Sequence, residues 1–347
     1  MQKLDKKFPL VILVFFFGLA SFLGSSFLIK SKAIEIVLTP AQVTETISAK
    51  PDPIKNKSVS LILVGDIMLS RRVDLMMKAY NDYKFPFLKI ADEFKKADII
   101  FGNLENPISD KGKKVGSIYS FRADPRVIDG LTYAGFNVLS FANNHAFDYG
   151  RQAFEDTLLR LKGAGISYAG AGFNEIEAHS PAIKEANGVK IGFLAYTDLG
   201  SVYWTATKGS SGLALIDLKD FKQLWQDIEK ARPQVDVLIV SLHSGEEYIS
   251  EPSQSQIEFA RTAIDYGADL LVGHHPHVVQ KNEIYSSTGS PQAKYIFYSL
   301  GNFVFDQSFS EETMKGQIVK ILIENGKIKK VAPQDIKINN LFQPELP

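Results

Sequence analysis

Residues 61–68 read Leu-Ile-Leu-Val-Gly-Asp-Ile-Met, a β-favouring apolar run that passes without a spacer into a glycine and a carboxylate. Four apolar residues closed by a glycine predict a short buried strand, and they place Asp66 at its C-terminal end. The same arrangement recurs along the chain. DIIF (98–101) runs into Gly102-Asn103-Leu104-Glu105-Asn106, VLSFA (138–142) into Asn143-Asn144-His145 with Asp148 beyond, and VDVLIVSL (235–242) into His243-Ser244-Gly245-Glu246-Glu247. ADLLVG (268–273) then ends in His274-His275-Pro276-His277, and YIFYSL (295–300) ends in Gly301-Asn302. In α/β sheets sites are built at the carboxyl ends of the strands. One Asp after a strand is ordinarily a turn former or a cap. Here five of the six histidines lie within a few residues of an apolar run, in loops that also hold Asp, Glu or Asn. The sixth, His179, stands apart in Ala178-His179-Ser180-Pro181 and is given no role.

Outward from these runs the chain alternates short apolar stretches with longer amphipathic ones. Strands are predicted at 59–64, 98–101, 138–141, 166–169, 189–195, 235–242, 270–272, 295–300 and 317–323, with helices at 73–80, 86–96, 125–134, 151–162, 218–231 and 253–266. Such alternation argues a layered α/β architecture. Asn187-Gly188 and Asn325-Gly326 each separate two apolar runs and read as two-residue hairpin turns, so part of the sheet is antiparallel and a mixed sheet or sheet pair follows. With no internal repeat and no second linker, residues 58–340 are expected to form one domain.

Composition narrows the chemistry. The 347 residues hold 39 Lys+Arg against 39 Asp+Glu, so there is no basic excess of the kind a nucleic-acid partner requires. There is no cysteine, which excludes disulfides, thiolate metal sites and a Cys nucleophile. Any metal must therefore sit on nitrogen and oxygen ligands, a donor set that suits Mn, Fe, Zn or Co. A histidine cluster stiffened by Pro276 is metal-like, and one Glu, one Asp and several His suffice for one or two divalent ions. Two ions held about 4 Å apart activate water and clamp both oxygens of a phosphoryl transfer.

Residues 8–29 are free of charge over about the 20 residues a membrane-spanning helix needs. Lys3, Lys6 and Lys7 precede them, which places residues 1–7 in the cytoplasm by the positive-inside rule. Residues 30–57, with Pro40, Pro51 and Pro53 and no apolar periodicity, read as a linker that lifts an extracytoplasmic domain off a single-pass anchor. The competing reading is a cleaved signal peptide, with Ser31-Lys32-Ala33 as the cleavage site.

The ordered set GDIML, GNLEN, NNHAFDYG, HSGEEY, GHHPHVVQ and SLGNF, spread from Leu61 to Phe305, resembles the capsule-synthesis CapA family of poly-γ-glutamate biosynthesis. The resemblance implies a calcineurin-like metallophosphoesterase fold, two packed mixed sheets flanked by helices in four layers, and a membrane anchor. It makes Asp66 a ligand of a first metal, Glu105 the bridging carboxylate, Asn144 and His243 ligands of a second metal, and His277 the last histidine of the set. The other histidine of that motif is His274 by its glycine neighbour or His275 by spacing. His145 matches the general acid, with Asp148 orienting its ring. Asn103, Arg71, Arg122, Glu247 and Asn302 are candidates for binding substrate, the two arginines being equally open to structural ion pairs. Two departures stand out: Met68 replaces a histidine ligand, and a glutamate replaces the bridging aspartate. The expected partners are an anionic polymer or a phosphoester, the membrane, and other subunits of a polymer synthase. Two functions compete: a metal-dependent hydrolase and a non-catalytic accessory protein that holds a polyanion.

Overall fold

The first apolar run becomes β1 (Ser58–Ile67). Its alternation sends Val59, Leu61 and Leu63 to one face and Ile62 and Val64 to the other, all of them buried. A strand apolar on both faces has to lie inside a layered fold. The computed structural model describes residues 57–115, 117–286 and 293–347, which belong to one compact unit, Lys55–Pro347. The tail, the membrane segment and all but the last residue of the linker expected above lie outside the described residues. Among the described residues no helix is long and apolar enough to cross a membrane.

The other strands are β2 (Ile99–Leu104), β3 (Val138–Ser140), β4 (Ser167–Ala169), β5 (Ala171–Gly172), β6 (Ala182–Ala186), β7 (Val189–Thr197), β8 (Gly212–Leu213), β9 (Val237–His243), β10 (Leu270–His274), β11 (Asn282–Tyr285), β12 (Lys294–Phe297), β13 (Asn302–Val304), β14 (Lys315–Glu324), β15 (Lys327–Ile338) and β16 (Pro344–Glu345). One sheet runs β16-β15-β14-β1-β2-β3-β4, with β13 also paired to β1; a second runs β11-β12-β10-β9-β7-β6; β5 and β8 form a small ribbon. β1 to β4 are parallel while β14 meets β1 antiparallel. In the second sheet a parallel centre carries antiparallel edges at β6 and β11. Both sheets are mixed, and both expected hairpins form. Asn187 and Gly188 have φ of 51 and 73°, Asn325 and Gly326 have 51 and 75°, the paired left-handed conformation such turns require.

The inward faces of the two sheets interdigitate. Leu61, Leu63, Phe101, Phe193, Ile239 and Val272 share one core, and Phe101 stacks on Phe193 across the layers with centroids 5.0 Å apart. Helices α1 (Arg71–Ala79), α2 (Ala91–Phe94), α3 (Val127–Ala134) and α4 (Gly150–Gly163) cover the outer face of the first sheet; α5 (Glu175–Ala178), α6 (Lys222–Ala231) and α7 (Gln254–Asp265) cover that of the second. The result is four layers, helices on sheet on sheet on helices.

Where elements differ from expectation, local chemistry accounts for it. The helix expected at 86–96 is a 3-10 turn at Phe85–Phe87 followed by the single turn of α2: Phe85, Pro86 and Phe87 are buried in succession, a pattern that one face of an α-helix cannot satisfy. α6 starts at Lys222 rather than 218 because the Asp217 and Asp220 side chains accept from Lys219 N and Lys222 N, turns that compete with a helix. α7 starts where a reciprocal Ser253–Gln256 capping box satisfies its first amides. β15, the second strand of the Asn325-Gly326 hairpin, runs longer than its pattern suggests because exposed lysines and Pro333 interrupt its apolar alternation, and with β16 the fold continues past residue 340.

One glycine is dictated by the site. A Cβ on Gly65 would lie 1.9 Å from the Gly301 carbonyl oxygen, the same atom that accepts from Asp66 N at 3.0 Å. Gly65→Ala must therefore pry β1 from the β13 loop. We expect it to cost about 1–3 kcal/mol, read as a lowered denaturant midpoint; an unchanged midpoint would contradict this close approach.

Candidate metal centre

The strand registers bring the candidate ligands together. Asp66 in β1 is level with Asn103 in β2 and Asn302 in β13, and His243 in β9 is level with His274 in β10. Glu105 follows β2, Asn143 to His145 follow β3, and His275 and His277 follow β10. The carboxyl ends of both sheets thus deliver their polar residues to one place. Two ligand groups result, Asp66 with Glu105 and His243, and Glu105 with His275 and His277, the ligand atoms of each lying within 4.8 Å of one another. Glu105 is common to both, as a bridging carboxylate must be. His275 and His277 hold φ of 98 and 59°, a left-handed backbone that costs about 1–3 kcal/mol per residue and is typical of functional sites.

Hydrogen bonds show which atoms remain open. His277 Nδ1 lies 3.0 Å from Asn302 Oδ1 and 3.4 Å from Asp66 Oδ2. Both are acceptors, so Nδ1 carries the ring proton and Nε2 presents a lone pair. That lone pair faces Glu105 Oε1 at 3.5 Å, and among the described residues this oxygen has no hydrogen-bond partner, nor has His275 Nδ1. Lone pairs set against each other in a buried site are satisfied by a cation. The residues fit one or two divalent ions.

The electrostatics agree. Burial, and next the Asp66 carboxylate, push the Glu105 carboxyl well above its usual range. Burial alone would raise Asp66 too, but the His277 hydrogen bond and the neighbouring imidazoles hold it well below the usual carboxylate range. Burial, then His275, drives His243 well below the ordinary imidazole value; burial, then His277, brings His275 down to about 4; burial lowers His274. At neutral pH His243, His274 and His275 are therefore uncharged, and uncharged imidazole is the form that binds metal. Glu105 is the ligand whose proton is held to a higher pH than is usual for a carboxyl. We expect metal affinity to rise with pH through the His275 titration at about 4 and to rise again through the Glu105 titration above the usual carboxylate range; isothermal titration in two buffers of different ionisation enthalpy counts the protons released.

Above the ligands stands His145. Its Nδ1 is 2.7 Å from Asp148 Oδ2, its ring stacks on Phe121 with centroids 4.0 Å apart, and its Nε2 is 3.9 Å from Glu105 Oε1. Phe121 N donates to the same Asp148 oxygen at 2.7 Å. His243 Nε2 lies 2.8 Å from Asn144 Oδ1. A cleft of about 710 Å³ opens over this group, lined by Asn144, His145, His277, Glu247, Tyr248 and Arg71 among others.

Several expectations are corrected here. Asn103 and Asn302, read as substrate-binding, are fully buried and their amides are spent on the ligands and their supports: Asn103 Nδ2 reaches Asp66 Oδ1 at 2.8 Å, His243 Nδ1 at 3.1 Å and Glu105 Oε2 at 3.4 Å, while Asn302 Nδ2 donates to Gln307 and Thr313. Arg122 turns away, donating to the Lys111 carbonyl and lying over the Tyr149 ring. Arg71 does line the cleft, but it is bound side-on to Asp306. His274 is buried at the end of β10 and belongs to neither ligand group, so the His275 alternative is the one the geometry takes up. Met68 packs in the core of the first sheet and its sulfur accepts from Ser70. His179, given no role, is bonded to buried Asp227 at 2.7 Å. Asn143 was missed: its Nδ2 donates to Asn103 Oδ1 and the Leu104 carbonyl, and its Oδ1 accepts from His145 N. Its place in the Asn-Asn-His run was the only available signal.

Asn103 is thus a hub rather than a binder. Asn103→Ala is expected to weaken metal binding about 10–100-fold, the usual cost of losing a ligand's hydrogen-bond support, measured by competition with a fluorescent chelator. Affinity equal to that of the unmodified protein would assign the hub no such role.

Comparison with known proteins places the chain in a family. Residues 60–307 match the family model "Bacterial capsule synthesis protein PGA_cap". The chain is 33% identical over 313 residues to the capsule biosynthesis protein CapA of Bacillus anthracis, covering 88% of this chain and 74% of that protein. It is 33% identical over 282 residues to the PGA biosynthesis protein CapA of Bacillus subtilis, covering 80% and 72%. All the candidate ligands named above fall within the matched segment, and on these matches the chain belongs to the CapA family of bacterial capsule synthesis proteins.

Proposed function

We propose that this protein is a metal-dependent hydrolase of the metallophosphoesterase type, acting outside the cell on a phosphoester or an anionic polymer during capsule or poly-γ-glutamate synthesis, export or anchoring, and held to the membrane by residues 8–29. The observation that carries the reading is the His145–Asp148 pair set over the Glu105 ligand groups. A cleft that only held a polymer would have no use for an oriented acid.

Bound divalent ions would supply Lewis-acid activation of water and of the group under attack. The chain's own residues do the rest. Glu105, His275 and His277 with Asp66 and His243 provide the ligand atoms. Asn103, Asn143 and Asn302 fix their orientations. Asp148 holds the His145 ring so that Nε2 is the atom that exchanges a proton with the leaving oxygen, and Phe121 shields one ring face from water. Glu247 and Arg71 line the approach.

A second reading, a non-catalytic accessory that binds a polyanion beside a membrane synthase, is favoured by one observation: Met68 lies in the core where related hydrolases would present a ligand. The deciding test is elemental analysis of protein purified without chelator, followed by phosphodiester turnover with added Mn²⁺. Two metal equivalents with turnover support the hydrolase; one or none without turnover supports the accessory.

A further inference from the structure

Next to the metal cleft lies a second hollow of about 850 Å³, and the two share a wall: Tyr248 and Phe309 line both. The Tyr248 ring meets Phe309 edge-on with centroids 5.0 Å apart, its hydroxyl accepts from Gln307 at 3.1 Å, and its φ of 66° turns the chain into this position. The second hollow has an apolar floor of Val278, Val279 and Ile336 with Lys315 and Lys337 at its side and Ser250 at its edge; Glu312 and Asp335 also face it.

From this continuity we infer that the second hollow is an extended subsite of the same cleft, receiving the part of a linear polymer that runs on past the metal centre. This rests on the function proposed above and adds a direction to it. The apolar floor suits the methylene segments of such a chain; of the two lysines Lys315 is held by Glu311 at 3.3 Å, so Lys337 is the one that meets a carboxylate, beside Glu312 and Asp335, which confine it to that side of the hollow. A chain long enough to pass the Tyr248–Phe309 wall gains a second set of contacts at high effective concentration, whereas a short one does not.

The test uses the full chain in detergent, loaded with Mn²⁺, and end-labelled poly-γ-glutamate oligomers of graded length, read by fluorescence anisotropy. Affinity is expected to rise about tenfold once the oligomer reaches the second hollow, and Ser250→Trp, an exposed change that fills the edge of the hollow, is expected to remove that step, as is Lys337→Glu. Binding without any length step, or a step untouched in both variants, would overturn the subsite while leaving the proposed function standing. Binding of no oligomer at all would overturn the subsite and restrict the proposed hydrolase to a phosphoester, whose turnover with added Mn²⁺ is measured separately.

Discussion

Glu105→Gln is expected to lose its divalent metal and yet, with both proteins stripped by chelator, to be the more stable of the two. The carboxylate belongs to both ligand groups, so replacing it removes a charged donor from each possible ion. The loss in affinity should exceed the roughly 10–100-fold typical of a supporting residue. Without metal the same carboxylate is a liability, because it is fully buried, one of its oxygens has no hydrogen-bond partner among the described residues, and the Asp66 carboxylate lies close by. An unsatisfied buried polar group costs on the order of 1–3 kcal/mol, and a neutral amide relieves the charge.

The pH dependence has a definite sign. Glu105 in the folded, metal-free protein keeps its proton to a higher pH than in the unfolded chain. Its contribution is therefore fully present below the unfolded carboxylate range and is lost as pH rises through the folded value. Thermal midpoints of chelated protein should fall over that window, and Glu105→Gln should flatten the slope. A variant that retained its metal would show that Glu105 is not the shared ligand, and one that was the less stable when stripped would show that the buried carboxylate is no liability without metal.

His145→Ala is expected to separate chemistry from binding. Its ring belongs to neither ligand group, so metal content should be unchanged. Turnover of a phosphodiester should fall by about 10²–10⁴, the range for loss of a positioned general acid. Asp148→Asn keeps the ring in place through a weaker bond and should fall less. Substrates whose leaving group needs no proton, such as a nitrophenolate, should be hurt least by either change. Equal loss across leaving groups would remove His145 from the acid's role, and loss of metal together with turnover would make it a ligand.

The sequence by itself determined the layered α/β class, both Asn-Gly hairpins and nearly every group that the centre assembles. It could do so because strand ends carry their chemistry in short local runs: apolar residues fix where a strand lies, and the polar residues that follow must emerge at its carboxyl end. The membrane segment and linker were also read from local pattern, and they remain part of the proposal. Only the tertiary structure decided the rest. That His275 rather than His274 falls in a ligand group with Glu105, that the buried amides of Asn103 and Asn302 make their hydrogen bonds inside the site, and that Arg122 turns away all depend on which face of a strand or loop a side chain leaves from. Alternation puts His274 and His275 on different courses, and sequence spacing does not reveal what stands across the gap. Burial settles it: an amide sealed among carboxylates and imidazoles has to spend its hydrogen bonds there, and only the packing of two sheets against each other determines which amides are sealed.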